Sequence, residues 1–205
     1  EWLDNGRMMF TAEIGGRTAV LEADINGVAS PKEIVGGRRQ IRGMSFDAAA
    51  KTMAFVATSM TKPTELFVAN ADGSGERKLT DFNADVNADV VWSDAERFTY
   101  KSVGNLEIES WLMKPYGYEA GKKYPMVIYI HGGPHSSYGE GWFDEFQNLA
   151  AQGMFAAAGN NDIPQHVHFG LYYLSKVLAD PALTARAIAI SKSVLAPPYR
   201  SPAGF

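Results

Sequence analysis

Short runs rich in β-branched and aromatic residues recur along the first hundred positions. "TMAFVATS" (52–59), "TELFVANA" (64–71) and "RFTYKS" (97–102) have the length and composition of β-strands. "ADGSGE" (71–76) reads as a hairpin turn whose glycines supply positive φ, and "RKLT" (77–80) starts the outgoing strand. The runs also repeat. "TAVLEADING" (18–27) matches "TELFVANADG" (64–73) at an offset of 46, and "RMMFTA" (7–12) matches "TMAFVA" (52–57) at 45. Phe46-Asp47 and Trp92-Ser93 are again 46 apart. A period of roughly 40–50 residues built from short strands is the signature of β-propeller blades. Gly36-Gly37 would separate two of them. An all-β sandwich is the competing reading, and the near-constant offset favours blades. Propellers have about 4–8 blades, so the rest of a ring is expected upstream of Glu1.

The pattern changes near residue 97. "LEIESWLMKP" (106–115) alternates and then turns apolar, as a half-buried strand does. "YGYEAGKKYP" (116–125) is a polar loop, and "MVIYI" (126–130) is a continuous apolar run, as in a buried central strand. "WFDEFQNLAAQG" (142–153) places Phe143, Phe146, Leu149 and Ala150 on one helical face, with Asp144 and Glu145 in the first turn and Gly153 as the stop. Strand, glycine loop and helix in that order open an α/β layer.

Composition narrows the function classes. Of 205 residues 46% are hydrophobic and the net charge is -4, without a basic stripe, so nucleic acid is not an expected partner. The absence of cysteine removes disulfide and thiolate chemistry and fits a cytoplasmic location. No apolar run approaches the ~20 residues of a membrane span, so no membrane partner is expected. The first residues are not a signal peptide and carry no initiating Met, and the numbering is expected to begin inside a longer chain.

Chemistry concentrates at "MVIYIHGGPHSSYG" (126–139). Backbone N–H groups of a Gly-Gly loop after a strand can face a carbonyl oxygen that gains charge during nucleophilic attack, because no side chain blocks approach. Such a donor contributes about 3–4 kcal/mol in serine hydrolases. Pro134 would stiffen the exit and His131 could support the loop by hydrogen bonding. A tight turn without chemistry remains the other reading of these four letters.

The stretch from about residue 53 to 153 resembles the prolyl oligopeptidase family, and most its acylaminoacyl-peptidase branch. "PTELFVANADGSGERKLTDFN" (63–83), "ERFTYKS" (96–102), "ESWLMKP" (109–115), "YPMVIYIHGGPHSSYG" (124–139) and "FDEFQNLAAQG" (143–153) occur in the family's order and spacing. The resemblance implies a mixed fold: β-propeller blades over 1–96, then the opening of an α/β-hydrolase domain over 97–205. It implies a serine peptidase acting on short peptides or acylated amino-acid residues through a Ser-His-Asp triad, without a cofactor and without a metal. It places Gly132 and Gly133 in the oxyanion-hole loop, with His131 as loop support, and suggests that the propeller limits access to the site. A peptide is the expected substrate, and homo-oligomerisation is compatible with it.

Departures from the family pattern begin near Phe155. Asn160-Asn161-Asp162 stands where an Asn-Pro-Arg turn is expected, and "FAAAG" (155–159) is a weak strand without a β-branched residue. No Gly-x-Ser-x-Gly nucleophile elbow occurs anywhere, so nucleophile, acid and base are unassigned, and the chain alone is expected to be inactive. The last fifty residues read as two helices, the second starting at Pro181 and ending at Pro197-Pro198. A non-catalytic binding or assembly module derived from a propeller, with a structural hydrolase remnant, is the alternative. Other signals weigh little. "SMTK" (59–62) fits a Ser-x-x-Lys pattern but precedes Pro63 between two strands, as a hairpin loop does. His166 and His168, with His131 and His135, lack a carboxylate cluster for a metal. Glu107 and Glu109 read as a solvated strand edge, Trp142, Phe143 and Phe146 as core, and "GGRR" (36–39) as a basic turn.

Overall fold

The computed structural model describes residues 1–160 except Asn5, Val28, Ala29, 102–104, Ile130 and 132–136, and beyond them only Pro181 and Ala185. The helical tail read from the sequence therefore lies outside the described residues, as do Asn161 and Asp162. The described chain is mostly β-sheet with few helices. It divides into two compact units, one of Glu1–Asp94 with Gly139–Gln147 and one of Ala95–Tyr138 with Asn148–Phe205.

The first unit contains two antiparallel sheets. Strands β1 (Arg7–Ile14), β2 (Arg17–Asp24) and β3 (Lys32–Val35) lie in the order β1-β2-β3. Strands β4 (Gln40–Phe46), β5 (Thr52–Ser59), β6 (Lys62–Asn70) and β7 (Arg77–Lys78) follow in simple succession. The sequence repeat is a repeat of strand pairing. Phe10 lies opposite Leu21, and their counterparts Phe55 and Phe67 lie opposite each other. Two-residue loops close both central hairpins, Gly15-Gly16 with positive φ at each residue and Met60-Thr61 between Ser59 and Lys62. This hairpin disposes of the Ser-x-x-Lys pattern, which needs both side chains on one helix face. At the β6–β7 turn Gly73 has φ of 84°, and an added Cβ would stand 2.3 Å from the Ile34 carbonyl oxygen. Only glycine satisfies both constraints.

Alternation decides the core. Met53, Phe55 and Ala57 project from one face of β5 and cluster with Met9, Val20, Val35, Ile41 and Ala69. Phe55 stacks on Phe67 with ring centres 5.7 Å apart. The Arg39 guanidinium lies over both rings, at 5.7 and 5.8 Å, and forms two parallel bonds to Glu76 of 2.6 and 2.7 Å. The basic turn at 36–39 is thus a packing element as well as a loop.

The period fails at its third occurrence. Phe46 closes β4, but the residues 46 positions on form helix α1 (Ala84–Asp89) and an extended segment through Trp92. Asn83, Asp85, Asn87 and Asp89 weigh against a strand here, because such side chains compete with sheet hydrogen bonding. Glu65 secures the segment. It is 6% exposed on β6 and accepts hydrogen bonds from the Thr80 hydroxyl, the Phe82 and Asn83 amides and the Asn83 side chain. Burial pushes this carboxyl up, but the donors outweigh it and hold the pKa at about 2, against 4.5 for a free glutamate. A lowered native pKa stabilises the fold at pH values above about 4.5. That contribution is lost as pH falls from about 4.5 towards about 2. Glu65→Gln should cost on the order of 2–3 kcal/mol at pH 7. Urea unfolding at pH 7 and pH 3 checks this: the wild type should lose more stability between them than the variant.

The second unit holds one mixed sheet. Strands β8 (Ala95–Lys101), β9 (Glu107–Met113), β10 (Met126–Tyr129) and β11 (Phe155–Asn160) lie in the order β10-β11-β9-β8. β10 and β11 are parallel and the other pairs antiparallel. Three expectations change here. β10, read as a buried central strand, is half-buried and terminal in this sheet among the described residues. The weak-looking alanine run is an interior strand, with Ala156, Ala157 and Ala158 fully buried. Small side chains suit it because Trp111 and Met113 of β9 stand directly opposite Ala158 and Ala156, so packing overrides strand propensity. Glu107 is exposed, as a solvated position should be, but Glu109 is half-buried on β9, an interior strand, and accepts a bond from Arg97. On the other face Tyr100, Ile108, Leu112, Phe155 and Ala157 form a core flanked by Tyr124, Met126 and Ile128.

Candidate functional site

The loop singled out by sequence leaves β10 after Tyr129. His131 is half-buried, and its ring meets Tyr138 edge-on at 6.4 Å. Tyr138 also meets Tyr129 edge-on at 6.1 Å. One aromatic ring thus contacts the strand that enters the loop and the histidine that opens it, within a single unit. Gly132 and Gly133, together with Pro134 and His135, lie outside the described residues, so the oxyanion-hole assignment rests on sequence. His166 and His168 lie outside them too. Among the described residues no three histidine or carboxylate side chains gather as metal ligands would.

The segment that follows, Gly139–Gln147, packs within the first unit. Its first residue is glycine because there is no room for more: a Cβ on Gly139 would stand 1.8 Å from the Gly16 carbonyl oxygen. That same oxygen accepts the Glu140 amide at 2.8 Å. The Glu140 side chain is 1% exposed and accepts a 3.1 Å bond from Arg38 Nε. Trp142 meets Trp92 edge-on at 5.5 Å, and its amide donates to the Thr58 hydroxyl. Helix α2 (Asp144–Ala151) brings in Gln147, which is 7% exposed. Its Nε2 donates to the Met60 and Ser93 carbonyls, and its Oε1 accepts the Ser93 amide. All three bonds go to main chain, so the side chain serves as a substitute strand partner.

Sequence reasoning placed Phe143 and Phe146 on the helix's inner face and missed Gln147 beside them. A signal was present. Gln147 follows Phe146 and lies one turn from Phe143 and Ala150, so it is a polar residue at the margin of an apolar face, where burial requires partners. The Phe143 and Phe146 rings meet edge-on at 4.9 Å; of the three aromatics read as core, Phe146 is buried, while Trp142 and Phe143 are half-buried.

No family model matches the chain. An uncharacterized peptidase of Bacillus subtilis, YuxL, is 32% identical over 144 residues, which is 67% of this chain and 20% of that protein. A probable dipeptidyl-peptidase 5 of Trichophyton verrucosum is 28% identical over 154 residues, 69% of this chain and 20% of the relative. The chain therefore spans about a fifth of the length of the curated relatives it matches. Among solved structures, an acylaminoacyl peptidase in complex with Z-Gly-Gly-Phe-chloromethyl ketone superposes with a TM-score of 0.65 at 28% identity, over 76% of this chain and 24% of the other. The acylaminoacyl peptidase of Pyrococcus horikoshii gives 0.64 at 29% identity, over 76% and 23%. With peptidases on both sides of the comparison, in sequence and in fold, this chain is similar to peptidases and consistent with a part of a prolyl oligopeptidase family member.

Proposed function

We propose that this chain is the junction of a serine peptidase: the last propeller blades, residues 1–96, followed by the opening of the α/β-hydrolase domain. The observation that carries the reading is the parallel pairing of β10 and β11, with the His-Gly-Gly-Pro sequence and α2 between them in the chain. Strand, loop and helix lead to a second strand parallel to the first, in a chain whose relatives are peptidases. In this reading the amides of Gly132 and Gly133 stabilise the oxyanion formed when a serine, carried elsewhere in the whole enzyme, attacks a peptide or acyl-amino-acid carbonyl. His131 supports the loop. A histidine takes the serine proton and returns it to the leaving amine, while a carboxylate orients that histidine. No step calls for a metal or a cofactor. The substrate class is short peptides or peptides with acylated first residues.

The missing Gly-x-Ser-x-Gly elbow favours a second reading, a binding or assembly module with a structural hydrolase remnant. Hydrolysis separates the two. The natural protein containing this sequence should release nitroaniline from acyl-amino-acid or dipeptidyl nitroanilides, and the 205-residue chain alone should not. A natural protein without activity on either substrate class would support the second reading.

A further inference from the structure

A groove of about 690 Å³ opens in the first unit beside the β5–β6 hairpin. Its apolar wall is Ala57, Pro63, Phe67 and Trp92. Four cations line it, Arg38, Arg39, Lys62 and Lys78, against two carboxylates, Glu65 and Glu76. Three of the four cations are matched: Arg39 by Glu76, Arg38 by Glu140 and Asp94, and Lys78 by Asp81. Both carboxylates are also committed, Glu76 to Arg39 and Glu65 to the 80–83 segment. Lys62 forms no ion pair among the described residues, and the nearby Ser59 and Thr61 hydroxyls make no hydrogen bond there.

We propose that this groove binds a short peptide ending in a free carboxylate and an apolar or aromatic residue. The carboxylate meets Lys62, with the Ser59 and Thr61 hydroxyls as donors. The terminal side chain lies against Phe67 and Trp92. A monoanion suits the site because a single lining cation is uncompensated, whereas the second charge of a dianion would find no ion-pair partner among the lining residues. A volume of this order is ordinary for a small-ligand cleft with an apolar wall and a few convergent polar groups. The Asn87 amide holds the Trp92 indole with a 2.8 Å bond from Nε1 to Oδ1, so the aromatic wall is oriented before any ligand arrives. Binding here requires no nucleophile, so this site and the hydrolytic reading stand or fall independently.

Titration of the isotope-labelled chain with Ala-Phe, Ala-Phe amide and 3-phenylpropionate tests the proposal by amide and indole chemical shifts. Ala-Phe should give saturable shifts at 59–67 and at the Trp92 indole. The dipeptide amide should bind about tenfold more weakly or worse, and so should Ala-Phe to Lys62→Gln, a tenfold loss being the scale of one charge-assisted bond. Lys62→Arg should restore binding, which separates charge from any packing effect of the exposed side chain. Equal affinity for acid and amide, or no saturable shift at these residues up to about 10 mM, would overturn it. Binding of 3-phenylpropionate as tight as that of Ala-Phe would overturn the assignment to a peptide.

Discussion

Truncating Trp111 to alanine should lower the unfolding free energy by about 3–5 kcal/mol, the scale of deleting a large aromatic side chain from a packed interior. Trp111 has no solvent exposure and sits in the middle of β9, a strand with neighbours on both sides. Its cross-strand partner on β11 is Ala158, too small to refill the space, and Met113 and Ala156 form the next pair along the same face. The main chain there is tied into ladders on two sides, so collapse into the cavity is resisted. Urea unfolding followed by circular dichroism should show a lower midpoint with an unchanged slope. A loss below about 1 kcal/mol would mean that the sheet is packed differently from the structure described.

Gly139→Ala should be nearly as costly, about 3 kcal/mol, although it adds a single methyl group. The new carbon would overlap the Gly16 carbonyl oxygen at 1.8 Å, and a backbone atom in a tight hairpin has nowhere to go. Moving either segment lengthens the 2.8 Å bond from the Glu140 amide to the same oxygen and disturbs the bond that the buried Glu140 carboxylate accepts from the exposed Arg38. Gly141→Ala, two residues on, is the control. Its Cβ would meet the Gln40 side-chain oxygen at 2.6 Å, and that flexible end can swing aside for less than about 1 kcal/mol. Thermal denaturation of both variants distinguishes the cases. Similar melting temperatures for the two would contradict the close approach at Gly16.

How much of this was legible follows from where the information sits. Alternation and a near-constant offset revealed β1, β2, β5 and β6, because strand faces and hairpin turns are local properties. The same logic failed at 84–92. Phe46 and Trp92 share the 46-residue offset, but the Asn and Asp residues between Asn83 and Asp89 are poor strand formers, and the segment before α1 is held by Glu65 of β6. The alanines of β11 looked weak because propensity speaks for an isolated strand, whereas their placement answers to Trp111 and Met113 across the sheet. Gln147, Glu140 and Arg38 were invisible for a related reason. Their partners are 54 to 102 positions away, and no local pattern encodes a bond over that distance. At the site itself, the strand before His131 was readable as a continuous apolar run and the helix after the loop from its periodicity, and the role of the two glycines came from the resemblance.

The most direct test labels the natural protein that contains this sequence with a fluorophosphonate and maps the modified serine by peptide mass. The account predicts stoichiometric modification of one serine in a polypeptide well above the 22.3 kDa of these 205 residues, at a position outside them. Modification of a serine within Glu1–Phe205, or no modification of any polypeptide carrying the sequence, would contradict it.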